Sequence, residues 1–182
     1  MHPNTIDVHV PFIVSWPGVL PASEVRDDLV SLIDMAATSL AIAGVTVPSY
    51  RESKSFLETT GTHIGDHINI RNYVMLMRDK MDETIDKIRG VRTKRFKYLR
   101  NYYPELPWTP GNKYKGGYAT MREAKNLYRE GKLNPVQAAF FASTKPEEEL
   151  YDLSVDPWET NNLAGNSSNF DTLFLMRERL QT

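Results

Sequence analysis

Val10-Pro11-Phe12-Ile13-Val14-Ser15-Trp16 is a near-continuous apolar run stopped by Pro17-Gly18. That pattern predicts a strand buried on both faces, as in a parallel sheet covered by helices. Leu29-Val30-Ser31-Leu32-Ile33 precedes Asp34, which reads as a helix cap; Ile33, Ala36, Ala37 and Leu40 recur at helical spacing, and Gly44 supplies a stop. Strand, loop, helix and stop together describe the closing edge of an α/β sheet whose other strands must come from elsewhere. From Val47 to about Asn69 the periodicity fades among Pro48, Gly61, Gly65 and polar residues, which predicts a loop-rich crossing between domains.

Beyond the crossing the period changes. Tyr73-Val74-Met75-Leu76-Met77 is a strand candidate, followed by a charged loop, and Ile88–Asn101 reads as a hairpin centred near Thr93-Lys94. Thr-Lys lacks the preference for positive φ that tight primed turns need, so a wider turn is expected. Pro104, Pro107, Pro110, Gly111, Gly116 and Gly117 mark a long aromatic-rich loop. Thr120–Glu130 has helical spacing with a Thr120/Glu123 capping box and a Gly131 stop; Asn134-Pro135 opens another helix, and Phe170, Leu173, Met176 and Leu180 line the last one.

Composition narrows the classes. The 182 residues suffice for one ordinary domain, or a small domain plus part of another. A net charge of -1 argues against a general nucleic-acid binder. No apolar run approaches the roughly 20 residues of a membrane span. Met1–Asp7 has no basic-then-apolar pattern, so no signal peptide is expected there. Zero cysteines exclude disulfides, thiolate metal sites and a cysteine nucleophile, and leave the compartment open.

Glu149-Leu150-Tyr151-Asp152-Leu153, followed by Asp156-Pro157-Trp158-Glu159-Thr160-Asn161-Asn162-Leu163-Ala164, is the most informative stretch. It reads as a strand running into a helical turn, with Asp156 as cap, Pro157 at the first helical position, Glu159 closing a capping box, and Asn161 and Asn162 ending the turn. Its spelling resembles the C-terminal signature of the sulfatase family. The Val10–Gly18 run, Ser31–Gly44 and Arg78–Asn101 are also similar to sulfatase segments, the last to a bacterial branch that includes proteins called heparan N-sulfatases. At Ala37 that family usually has proline; alanine is a good helix former, so no structural consequence is expected.

The resemblance implies a fold in two parts. Residues 1–52 would be the last strand and helix of an alkaline-phosphatase-like catalytic α/β sheet, and residues 53–182 a smaller α+β C-terminal domain with an antiparallel sheet and a C-terminal helix. The implied parent activity is hydrolysis of sulfate esters or sulfamates, on a carbohydrate. Sulfatases use a formylglycine made within a C/S-x-P-S-R type motif, with calcium polarising the sulfate oxygens. Neither that motif nor the Asp-rich calcium segments occurs here. The cofactors, calcium and formylglycine, are therefore expected in a missing N-terminal catalytic half, which is this chain's expected partner, and the chain alone is expected to be inactive. The parent is expected to be periplasmic or extracellular. A second reading is a non-catalytic module binding sulfated glycans, or a subunit of a split sulfatase.

Candidate contacts follow from the same likeness. Arg78 would meet an anionic sugar group, Asp79 or Asp82 would accept sugar hydroxyls, and His67 would lie nearby at the mouth of the active site. The bland reading of Arg78–Glu83 is a solvated charged loop. His63 and His67, four apart, would share a face on a helix, but Gly61 and Gly65 argue against helix and metal binding. Lys87, Arg89, Arg92, Lys94, Arg95, Lys97 and Arg100 make a basic hairpin that reads more simply as a wet strand face neutralised by Asp79, Asp82, Glu83 and Asp86 than as a polyanion platform. Tyr102, Tyr103, Trp108, Tyr114 and Tyr118 suit sugar stacking and core packing equally. Asn166-Ser167-Ser168 matches a glycosylation acceptor, a short motif that occurs often by chance.

Overall fold

The computed structural model describes residues 10–60, 63–67, 71–81 and 83–181. They form two compact units, Val10–Val74 and the chain from Met75 onward.

In the first unit, Val10–Trp16 forms no strand, and Ile13 is 89% exposed. The expected buried strand is absent because a strand exists only beside a hydrogen-bonding neighbour, and no described strand pairs with this run. Phe12 meets Phe56 edge-on at 5.4 Å. The expected helix forms as α1, Asp34–Ile42. Asp34 is its first residue rather than its cap, and its carboxylate reaches back to the Ser31 amide at 3.0 Å. Gly44 ends the helix at φ +69°, with the Val45 amide donating to the Leu40 carbonyl at 2.9 Å. The crossing is not purely loop: β1 (Leu57–Thr60) and β2 (His63–His67) pair antiparallel, with Leu57 opposite His67. Their polar sequences carry no apolar alternation, so periodicity gave no sign of them.

The second unit is built on a 4-stranded sheet of order β3-β4-β5-β6, comprising Val74–Met81, Thr84–Arg92, Phe96–Asn101 and Glu148–Asp152. The expected hairpin is β4–β5, antiparallel, with Ile88 opposite Asn101 and Arg92 opposite Lys97. Its turn takes no positive φ. Instead the Thr93 amide donates to the Phe96 carbonyl, and the Phe96 amide to the Thr93 hydroxyl, each at 2.8 Å. Strand β3 runs four residues past Met77, so Arg78 and Asp79 are strand residues and not loop residues as expected.

Register divides the sheet into two faces. Val91, Tyr98 and Leu150 share one; Gly90, Leu99 and Glu149 share the other. The last helix, α5 (Phe170–Gln181), packs on β4 and β5 and buries Leu173 and Met176, each worth roughly 1.5–3 kcal/mol of apolar burial. Between β5 and β6 lie α2 (Lys113–Gly116), α3 (Ala119–Arg129) and α4 (Pro135–Ala139). The Thr120/Glu123 capping box does not form, because α3 already starts at Ala119 with Tyr118 as an N-cap that makes no side-chain bond. The Asn134 cap does form, with Gln137 closing a capping box. Gly131, at φ +66°, stops α3 as expected.

Candidate functional site

The face that carries Gly90, Leu99 and Glu149, which Leu76 of β3 shares, buries ionic groups where a small sheet would ordinarily bury hydrocarbon. Alternation along β4 turns Thr84, Asp86 and Ile88 inward while Ile85 stays 60% exposed. Asp86 is fully buried, and Lys145, with no exposed side-chain surface, donates to its Oδ1 at 2.6 Å. Lys145 is held from two sides: its amide donates to the Pro104 carbonyl at 2.9 Å, and its ammonium lies 5.9 Å from the Trp108 ring centre. Arg78 approaches from β3, with Nη1 3.9 Å from Asp86 Oδ2. Neither Asp86 Oδ2 nor Arg78 Nε has a hydrogen-bond partner. Two cations thus flank one carboxylate, leaving local positive charge.

Asp79 points to the other side, as adjacent strand residues must. Its carboxylate takes two hydrogen bonds from Arg89 Nη2, at 2.8 and 3.1 Å, and remains 62% exposed. Arg89 also ties to the Arg78 carbonyl at 3.1 Å, joining β4 to β3. Arg78 and Asp79 are therefore neighbours in sequence serving opposite faces. His67 is the last residue of β2, in the other unit, and Asp82 lies outside the described residues. His63 and His67 lie on a strand, where four residues span about 13 Å, and not on one helical face.

A second polar network lies along β5 and β6. Glu149 is fully buried and accepts from Tyr151 Oη at 2.5 Å and Asn101 Nδ2 at 2.6 Å. Burial pushes its carboxyl up to about 7, against the opposing pull of those donors. On the helix side, Glu148 accepts from Arg177 and from Tyr98 Oη at 2.6 Å. The Arg177 guanidinium holds its carboxyl down at about 2. Arg95 does the same for Asp152, also to about 2, through a contact at 2.7 Å.

The signature after β6 forms non-helical turns where a capped turn of helix was expected. Asp156 still caps, taking the Asn161 amide at 2.8 Å and the Thr160 hydroxyl at 3.0 Å. Glu159, not an asparagine, adopts the left-handed conformation, at φ 56°, and presents its carboxylate to Lys97 at 2.7 Å. That pair, with Arg95–Asp152, Arg89–Asp79 and Arg100 on Glu147, engages much of the basic hairpin internally, so the strand reads as a paired surface and not a polyanion platform. The partners come mainly from β6 and its turn, beyond the nearby acids that spacing suggested; Asp86 instead serves Lys145. Tyr114 and Tyr118 stack edge-on at 5.2 Å while 70% and 48% exposed, so they are not hairpin core.

Calcium does not fit these residues. Among the described residues no three His, Asp or Glu side chains gather where they could hold a metal ion, and the buried carboxylates Asp34, Asp86 and Asp152 are each taken by a cation. Asp34, for instance, meets Arg71 Nη2 at 2.5 Å and the Lys54 amide at 2.9 Å. Burial raises its pKa, and those donors more than offset this. Sequence reading missed Lys145, because nothing in its local spelling shows that a residue so distant along the chain closes on Asp86; Trp108, offered for sugar stacking or core packing, lies beside that lysine.

A family model described as N-sulphoglucosamine sulphohydrolase, C-terminal, matches residues 2–141. An ulvan-active sulfatase of Formosa agariphila is 38% identical over 174 residues, covering 95% of this chain and 28% of that protein. A second ulvan-active sulfatase of the same organism is 31% identical over 164 residues, 88% of this chain and 30% of the relative. A solved protein in complex with its substrate D-glucosamine-2-N,6-O-disulfate aligns with a TM-score of 0.48 at 20% identity, over 81% of this chain and 22% of its own. The chain spans less than a third of the length of the curated relatives it matches.

Proposed function

The chain belongs to the N-sulphoglucosamine sulphohydrolase C-terminal family, and from that premise we propose that it is the C-terminal portion of a sulfatase acting on a sulfated carbohydrate. One observation carries this reading: likeness to a sulfatase extends over 95% of the chain while accounting for only 28% of the relative. The chemical step, with formylglycine as nucleophile and calcium as Lewis acid, belongs in this proposal to the N-terminal catalytic portion, this chain's partner. Residues 1–52 would complete that portion's alkaline-phosphatase-like sheet, giving Val10–Trp16 the strand neighbours that it lacks here. Residues 53–182 would form the C-terminal subdomain.

Within that arrangement each candidate contact takes its own part in the proposal. Arg78, attracted to Asp86 only at 3.9 Å, offers charge to an anionic sugar group, while Lys145 neutralises Asp86 independently. Asp79, exposed and oriented by Arg89, accepts sugar hydroxyls; Asp82 and His67 keep the positioning roles that the family likeness implies. The test measures sulfate release from ulvan oligosaccharides and from N- or O-sulfated glucosamine. Release is expected from the protein joined to a formylglycine-bearing catalytic portion, and none from these 182 residues alone. Turnover by the isolated chain would overturn the division of labour, and no turnover by the joined protein on any of these sugars would overturn the substrate class.

A further inference from the structure

A cleft of about 340 Å³ opens between the 107–109 segment, α3 and the 141–143 segment, and none of its lining residues is among the candidate contacts named above. Its volume lies within the roughly 300–1,000 Å³ of small-ligand sites. Lys125 and Arg129 stand one helical turn apart on α3 and both line it. Tyr128 and Phe141 contribute rings 5.5 Å apart and tilted by 35°, and Thr109 and Ser143 add hydroxyls. Among the described residues no acidic side chain lines the cleft. The nearest acid along the helix, Glu130, is turned to Lys132 at 2.8 Å. Arg129 is oriented by neutral Asn126 at 3.2 Å, which leaves its charge intact.

We infer that this cleft is an accessory subsite for an anionic sugar unit, a sulfated or carboxylated ring, of the same carbohydrate. The ligand class rests on the sulfatase reading; the charge, rings and hydroxyls rest on the cleft alone. Cations one turn apart suit an anionic group placed between them, an aromatic face suits the apolar face of a sugar ring, and hydroxyls suit its remaining oxygens. The overall charge of -1 favours a sugar over a nucleic acid, which needs a broad basic surface.

The test is calorimetric titration of the full chain with size-fractionated dextran sulfate, unsulfated dextran, sodium sulfate and a single-stranded oligonucleotide at fixed ionic strength. Dextran sulfate should bind at least tenfold more tightly than unsulfated dextran or sodium sulfate. Lys125→Gln and Arg129→Gln should each weaken it about tenfold, the ordinary effect of one charge-assisted contact, and Tyr128→Ala should weaken it too. Lys132→Gln, outside the cleft, should leave it unchanged. Equal losses at Lys132, equal affinity for the oligonucleotide or for sodium sulfate, or no binding by the native chain would overturn the subsite. Because no turnover is measured, failure here and failure of the sulfatase reading are separate results. Sulfate release with unaltered binding by the Lys125 variant removes only the subsite.

Discussion

Asn162 stands in for a further strand beside Leu150. Its Oδ1 accepts the Leu150 amide at 3.0 Å and its Nδ2 donates to the neighbouring Glu148 carbonyl at 2.9 Å. The Leu163 amide then donates to the Leu150 carbonyl at 2.8 Å. The outer edge of β6 is thereby closed, and the same Oδ1 also takes the Ala164 amide at 3.0 Å. The signature asparagine is an edge seal.

Asn162→Ala should therefore destabilise the protein by about 1–3 kcal/mol, since it strips partners from backbone groups of an otherwise buried strand. Denaturant titration measures this, and aggregation through the opened edge should accompany it. An unchanged midpoint would mean that water replaces the amide without loss.

Gly90 has no room for a methyl group. A Cβ there would lie 2.6 Å from the Tyr98 carbonyl oxygen and 2.6 Å from Leu99 Cδ2. The leucine tip can turn aside, but the backbone oxygen cannot without opening the β4–β5 ladder. Gly90→Ala should cost about 1–3 kcal/mol, in the range of overpacked cores. Thermal melting of the variant checks it.

Glu149 and Glu148 should shape the pH profile in opposite senses. Glu149, raised to about 7, is destabilising once ionised, so its ionisation reduces stability as pH climbs from its unfolded value near 4.5 to about 7. Glu148 and Asp152, held at about 2, contribute stability above their unfolded values that disappears as pH falls towards 2. Glu149→Gln should flatten the decline between pH 4.5 and 7 and leave the acid limb unchanged. Melting curves across pH 2–8 separate the two, and an unchanged decline in the variant would assign it to another group.

Arg78 and Lys145 should behave differently although both face Asp86. Lys145→Met leaves a buried carboxylate with only the 3.9 Å approach of Arg78, a loss of about 3–5 kcal/mol. Arg78→Ala leaves the 2.6 Å Lys145 bond in place and should cost only about 1 kcal/mol of stability. In the joined enzyme it should raise KM roughly tenfold to a hundredfold, as loss of a charged contact does. A large fall in stability with unchanged kinetics would make Arg78 structural.

The sequence by itself determined the elements whose signals are local. Gly44 and Gly131 stop helices because only glycine takes positive φ freely, Asn134 caps because its amide reaches the next turn, and β4 and β5 alternate around a short turn. The family was legible too, in the spelling after Glu149. Tertiary structure decided what depends on groups distant along the chain. Val10–Trp16 looked like a strand but has no described partner, and the β1–β2 hairpin formed without an apolar pattern to announce it. The length of β3 turns Arg78 from an expected loop cation into a strand residue set against Asp86, whose principal partner, Lys145, is 59 residues away. Periodicity reports which face is apolar, and only folding reports which charge sits opposite which, because ion pairs carry no period along the chain.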